Sequence, residues 1–161
     1  MLSVLDLHKS YGGARPRRVL RAVSLEVRHG EYIAIVGESG VGKSTLLNLI
    51  AGLELPDSGS ISLDGVELTA LDDDARTVVR RGKIGFVFQA FHLLPHLTVS
   101  QNVALPLSLN GIDAASAAER TDAILSALGL SAARATYPRE LSGGELQRVA
   151  IGRALAHRPR L

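Results

Sequence analysis

The sequence predicts an α/β fold in three successive parts: antiparallel strands, a strand–loop–helix core, and a mostly helical segment. Three observations carry this. Residues 2–7 and 19–28 alternate apolar and polar positions, as in Val23, Leu25 and Val27 against Ser24, Glu26 and Arg28, which is strand period. Residues 37–45 read Gly-Glu-Ser-Gly-Val-Gly-Lys-Ser-Thr between an apolar run at 32–36 and a helix-forming run at 46–51. Beyond Gln89 the chain becomes helical in spacing and rich in alanine.

His29-Gly30 turns the chain into a strand expected over 32–36, and the glycine-rich loop leads into a helix from about Lys43 to Ala51. Pro56-Asp57-Ser58-Gly59 is a turn, followed by a short strand over 60–63 and a second turn at Asp64-Gly65. The next helix begins near Asp72. Asp72, Asp73 and Asp74 occupy its first turn and Arg80 and Arg81 its last, an order that complements the helix dipole, and Gly82 is read as its stop. Residues 84–88 (Ile-Gly-Phe-Val-Phe) read as a buried strand ending at Gln89. Helices follow over about 99–109 and 114–128, the second stopped by Gly129, and a last one over about 143–156, ended by Pro159. No internal repeat or low-complexity tract interrupts them.

At 161 residues the chain can hold one domain with a sizeable core, and its 46% hydrophobic and 21% charged residues are ordinary for a soluble globular protein. The absence of cysteine excludes disulfides and thiolate metal sites and fits a reducing compartment. No basic start followed by a long apolar stretch marks a secretory signal, and no run approaches the roughly 18 to 20 apolar residues that span a bilayer. The net charge of +2 conceals an uneven placement. Arg15, Arg17 and Arg18 invite an anionic surface, although a solvated loop beside Pro16 is the plainer account. Aromatic residues, 4% of the chain, are too few for a base-stacking surface, so nucleic acid is not the expected partner.

The loop of Gly37, Glu38, Ser39, Gly40, Val41, Gly42, Lys43, Ser44 and Thr45 matches G-x-x-x-x-G-K-[ST] in a strand–loop–helix context. Its glycines let successive N–H groups face one concavity, and the helix opening at about Gly42 adds its positive end, which suits a polyphosphate. Lys43 would reach the terminal phosphates, and the Ser44 hydroxyl would ligate Mg²⁺. A second feature is Leu141-Ser142-Gly143-Gly144-Glu145, where a serine and two glycines open a helix. Taken alone, Ser142 and Glu145 make an ordinary capping box.

The order of this P-loop, Phe86-Val87-Phe88-Gln89 and Leu-Ser-Gly-Gly-Glu with Gln147-Arg148 behind it resembles the nucleotide-binding domain of ATP-binding cassette (ABC) transporters over essentially all 161 residues. Residues 91–99 (Phe-His-Leu-Leu-Pro-His-Leu-Thr-Val) with Asn102-Val103 are similar to the lipoprotein-releasing, macrolide-export and cell-division type. The resemblance implies a P-loop NTPase core with an N-terminal antiparallel β subdomain and an inserted helical subdomain, incomplete at the C-terminus. Residues 1–88 would be the β subdomain and P-loop core, 89–145 the Q-loop and helical subdomain, and 146–161 the helix after the signature motif. It implies that Tyr11 stacks on adenine, and that Gln89 touches Mg²⁺ and the attacking water and carries movement to the helical segment. Ser142, Gly143, Gly144 and Glu145 would meet the ATP held by an opposite subunit. Two chains would then pair head-to-tail and move integral membrane permease subunits, from the cytoplasmic face of the membrane. His92 and His96 have no metal spacing and read as surface or partner contacts.

The sequence departs from the resemblance in places. Leu146 stands where a polar residue is usual and Gly152 where alanine is usual; glycine there costs about 1 kcal/mol of helix propensity. The family's Asp-Glu pair on a further apolar strand, and its later switch histidine, have no counterpart in 1–161. Three expectations follow: negligible ATP turnover by this chain, strand edges left unpaired and prone to aggregate, and a parent ATPase of greater length. Competing readings are a non-catalytic ATP-binding module and a soluble ABC protein of translation or DNA repair. The tandem cassettes or coiled-coil insertions of that last class do not occur.

Overall fold

In the computed structural model, which describes residues 1–13 and 16–161, the N-terminal alternation becomes two long strands. These are β1 (Leu2–Tyr11) and β2 (Arg17–Val27); β3 (Ser58–Leu63) and a short β4 (Val66–Glu67) complete an antiparallel sheet of order β2-β1-β3-β4. Val4 faces Leu25 on one side and Ile61 on the other. Leu2, Val4, Leu7, Ile61 and Leu63 are buried, yet Val4 and Leu7 stand three apart rather than two. The phase is reset at Asp6, whose φ of 48° accompanies a register shift between Val4 and Leu7, the geometry of a bulge. Asp64 (φ 49°) and Gly65 (φ 80°) make the tight β3–β4 turn, both in the left-handed region that two-residue hairpins demand.

The glycine-rich loop leads into α1 (Lys43–Ile50), which buries Leu46, Leu49 and Ile50. Met1–Val78 form one compact unit and Val79–Leu161 a second, with α2 (Asp73–Lys83) beginning in the first and ending in the second. Gly82, expected to stop α2, lies inside it. It does not adopt a positive φ, and the Ile84 N–H still donates to Arg80 O at 3.0 Å, so the helical ladder runs past it.

In the second unit α3 (Val99–Leu109), α4 (Ala114–Ala127) and α5 (Gly143–Leu155) surround a core that includes Val99, Val103, Leu107, Leu125 and Val149. Gly129, at φ 68°, ends the α4 segment as its sequence foretells. Gly152 is buried against the neighbouring helices: a Cβ there would lie 2.9 Å from Leu128 Cδ1 and 3.1 Å from Ile124 Cγ2. The departure from alanine at this position is therefore a packing feature as well as a helix cost.

Two expected strands do not form. Residues 32–36 are extended but join no ladder among the described residues, leaving Tyr32 91% and Val36 85% exposed. Residues 84–88 make a single parallel rung, in which Gly85 N–H donates to Leu161 O (2.8 Å) and Leu161 N–H donates to Lys83 O (3.1 Å). Nor are they uniformly buried, for Ile84 is 7% exposed but Val87 is 43%. An apolar run supplies the side chains of a strand; a strand also needs a second backbone along its length, and one rung is not that.

Candidate functional site

The loop over 37–45 is shaped by its glycines. Gly42 is the N-cap of α1 at φ 110°, where an L side chain is strained, and it has no room either: a Cβ would lie 2.8 Å from Val19 Cγ1 and 3.2 Å from Val19 O. Gly37 and Gly40 also have positive φ. Because Gly42 provides no side-chain cap, the first-turn N–H groups of α1 depend on something other than a capping residue. The Lys43 ammonium folds back over the loop and donates to Gly37 O at 2.8 Å and Glu38 O at 2.7 Å. An ammonium has three donors, so these two bonds leave one N–H for a ligand. Glu38, Ser39, Gly40, Val41 and Ser44 are exposed, and Thr45 is half-buried.

Arg17 and Arg18 stand on β2, not in a loop, because pairing with Tyr11 and Ser10 extends that strand two residues further than its alternation indicated. Arg17 Nη2 donates to Gly40 O at 3.4 Å, a long contact beside the loop. Arg15 lies outside the described residues.

Tyr11 ends β1, and its hydroxyl donates to Glu54 Oε2 at 2.5 Å. Asn48 Nδ2, on α1, donates to the other oxygen of the same carboxylate at 3.2 Å, so Glu54 ties the tyrosine to the helix behind the loop. Lys9 Nζ lies 5.3 Å from the Tyr11 ring centroid, a cation–π contact. Burial, and then the Glu54 carboxylate, hold the Tyr11 hydroxyl above its ordinary pKa. Glu54 escaped sequence reasoning because no local pattern joins it to a residue 43 positions away.

In the second unit Gln89 occupies an exposed turn closed by Phe91 N–H donating to Phe88 O at 3.0 Å. His92 N–H then donates to Ala90 O at 2.7 Å, a γ-turn centred on Phe91 at φ 61°. His92 also has a positive φ, 46°. Two bulky residues in the left-handed region cost on the order of 1–2 kcal/mol each, so something must hold them. Arg153 of α5 does: Nη2 donates to Phe91 O and Nη1 to His92 O, both at 2.7 Å. Phe88 stacks between Phe86 (4.5 Å) and His92 (4.6 Å), which gives that histidine a packing role. Further along, fully buried Asn102 accepts from Leu94 N–H and donates to the carbonyls of Leu94, Leu97 and Thr98. Neither Arg153 nor Asn102 was singled out as a site residue from sequence, since their partners are backbone atoms that carry no sequence signal.

Ser142 caps α5 through a complete capping box. Its hydroxyl donates to Glu145 Oε2 at 2.6 Å and accepts from Glu145 N–H at 3.4 Å, while its N–H donates to the same carboxylate oxygen at 2.9 Å. These bonds, with Arg148 nearby, hold the Glu145 carboxyl below the usual carboxylate range. Gly143 and Gly144 are open, a Cβ on Gly143 meeting nothing within 4 Å.

Tyr11 and the residues of 37–45 thus belong to the first unit, and Gln89 with 142–145 to the second. Among the described residues no group of three or more His, Cys, Asp or Glu could hold a metal, and no helix is long and apolar enough to cross a membrane. In the first unit the Ser44 hydroxyl is a neutral oxygen donor, and in the second the Gln89 amide oxygen is another. Such neutral oxygen donors suit Mg²⁺ carried in with phosphate and water, and do not suit a metal held by the protein alone.

Residues 20–161 match a family described as ABC transporter. The methionine import ATP-binding protein MetN 2 of Burkholderia mallei is 47% identical over 154 residues, 95% of this chain and 39% of its own length. The lipoprotein-releasing system ATP-binding protein LolD of Roseobacter denitrificans is 44% identical over 163 residues, 100% of this chain and 72% of its own. Among solved structures, the ATP-binding cassette MJ0796, a dimer in a post-hydrolysis state with ADP and Pi bound, superposes with a TM-score of 0.93 at 40% identity. That match covers 99% of this chain and 71% of the cassette.

Proposed function

We propose that this chain, which belongs to the ABC transporter family, is an ATP-binding cassette that binds Mg-ATP at residues 37–45 and drives a membrane-embedded partner by pairing with a second cassette. The observation that carries the reading is the glycine loop itself. Its positive-φ glycines, its uncapped helix end and the spare donor of Lys43 support an anion there. Ser44, exposed on the first turn of α1, offers a hydroxyl to Mg²⁺, whose charge offsets that of the phosphates. Gln89 is carried as the second metal contact and as the residue that orients water. Tyr11, its hydroxyl tied by Glu54, presents a ring for adenine.

Ser142, Gly143, Gly144 and Glu145 are proposed to face the terminal phosphate held by the opposite copy. The dimeric state of the MJ0796 cassette supports such a pairing. The partner moved by closure is an integral membrane permease, which places the chain at the cytoplasmic face of a membrane. ATP would shift the pair toward the closed state by binding that state more tightly.

Turnover is a separate matter. No Asp-Glu dipeptide occurs anywhere in the 161 residues, so we propose that they bind ATP without hydrolysing it at the family's pace. Phosphate release from residues 1–161 at a rate typical of intact cassettes would overturn that. Binding itself is tested by Lys43→Ala. Calorimetric titration of Mg-ATP should show affinity falling by about 100-fold or more, roughly the worth of a lost charged hydrogen bond. Unchanged affinity would remove the glycine loop as the site.

A further inference from the structure

We infer that Arg153 is a positioning residue: its guanidinium clamps the strained turn after Gln89 and so couples that glutamine to the helix that begins at Ser142. The inference rests on the reading of Gln89 and Ser142 proposed above, but the geometry that motivates it stands by itself.

Three features coincide. Phe91 and His92 are consecutive bulky residues at φ 61° and 46°, with a γ-turn closed between Ala90 O and His92 N–H. Such a turn is strained and does not persist unaided. The two carbonyls it turns outward both accept from one guanidinium, at 2.7 Å each. A planar fork meets two acceptors in fixed directions, which a flexible ammonium does not do. Finally, Arg153 is half-buried, so its charge is partly withdrawn from water, and these two carbonyls are the groups that compensate it.

The consequence lies in what the clamp joins. Gln89 sits at a central position of the turn Phe88–Phe91, so holding the Phe91 carbonyl also sets where the glutamine backbone lies. Arg153 stands on α5, whose first turn follows Ser142. A displacement of that helix is therefore transmitted to Gln89 through two hydrogen bonds spanning 61 and 62 positions of sequence. Arg153 touches no ligand in this scheme; it acts through Gln89.

The test uses the intact chain with Arg153→Met and Arg153→Lys, the second keeping charge and stem should the first fail to fold. Hydrogen exchange should quicken at the amides of Phe91 and His92 by about tenfold or more while protection in α3 and α4 is retained. Exchange at wild-type rates in either folded variant overturns the clamp. The coupling to Gln89 is read from the factor by which Mg²⁺ tightens ATP binding, for wild type, Arg153→Lys, Gln89→Ala and the double variant. Arg153→Lys should shrink that factor alone, yet leave it unchanged when Gln89 is already alanine. Equal losses in both backgrounds, or weaker ATP binding irrespective of Mg²⁺, would reduce Arg153 to a fold residue and overturn the inference. Failure of the nucleotide reading would show itself separately, as ATP binding that survives Lys43→Ala.

Discussion

The two helix ends proposed to meet phosphate, those of α1 and α5, are built in different ways. At α1 the cap is a glycine with no side chain, the preceding loop is set by backbone dihedrals, and a lysine is folded across it. At α5 the cap is a serine whose hydroxyl and N–H are both engaged by Glu145. The first end is open because its backbone allows nothing else. The second is closed by side chains that a ligand could displace. One end is specified by what is missing at Cβ, the other by a hydrogen-bonded side-chain pair.

The strongest way to break this contrast is at Gly42. Gly42→Ala must take φ 110° with a methyl 2.8 Å from Val19 Cγ1. Strain and overpacking together should destabilise the first unit by about 2–4 kcal/mol, with loss of Mg-ATP affinity. Thermal unfolding monitored alongside nucleotide titration reads both, and an alanine tolerated without cost would show that the loop is not backbone-determined. Ser142→Ala is milder. It removes a cap whose accepting bond is already long, at 3.4 Å, so a loss of about 0.5–1 kcal/mol is expected in chemical denaturation. A loss well beyond that would mean the hydroxyl is committed to the fold and cannot be lent to a ligand.

The smallest effect sharpens the comparison through pH. Burial lowers the pKa of His157, beyond the far end of α5, from its ordinary 6.5; Nε2 is 3.2 Å from Ile84 O and Nδ1 is buried without a partner. The unfolded chain therefore takes up this proton first, and stability from this group is complete above pH 6.5 and is lost as the pH falls below it. Glu145, also depressed, adds a loss that begins near its ordinary 4.5. Tyr11 behaves oppositely: its pKa is raised, so its contribution holds below pH 10 and is lost above it. Acid should thus weaken the second unit first and alkali the first. Melting curves from pH 8 to 5, with His157→Gln flattening the upper part of the decline, would check this; an unaltered decline would exclude His157 as its source.

Much of the fold was legible because it is local. The 37–45 motif, the capping box at 142–145 and the Gly129 stop depend on residues a few positions apart, and each stands where its sequence indicates. Strands 32–36 and 84–88 were misread because apolar period reports a face to be buried, whereas pairing depends on a second chain segment. Gly82 was misread as a stop because a glycine ends a helix only by turning left-handed, which it does not do here. The bulge at Asp6 and the Glu54 tie to Tyr11 depend on register and on distant contacts. Gly152 was visible in sequence only as an oddity; Leu128 and Ile124 supply its physical reason.

The fold-back of Lys43 onto Gly37 and Glu38 carries a kinetic consequence. The ammonium offsets two carbonyl dipoles and braces the loop, so on the proposed reading an arriving phosphate would meet less repulsion. Little conformational freedom is then left to surrender on association. Capture should proceed at the pace of encounter rather than of rearrangement, and differences in affinity among variants of this loop should be written almost wholly in how fast the bound molecule leaves.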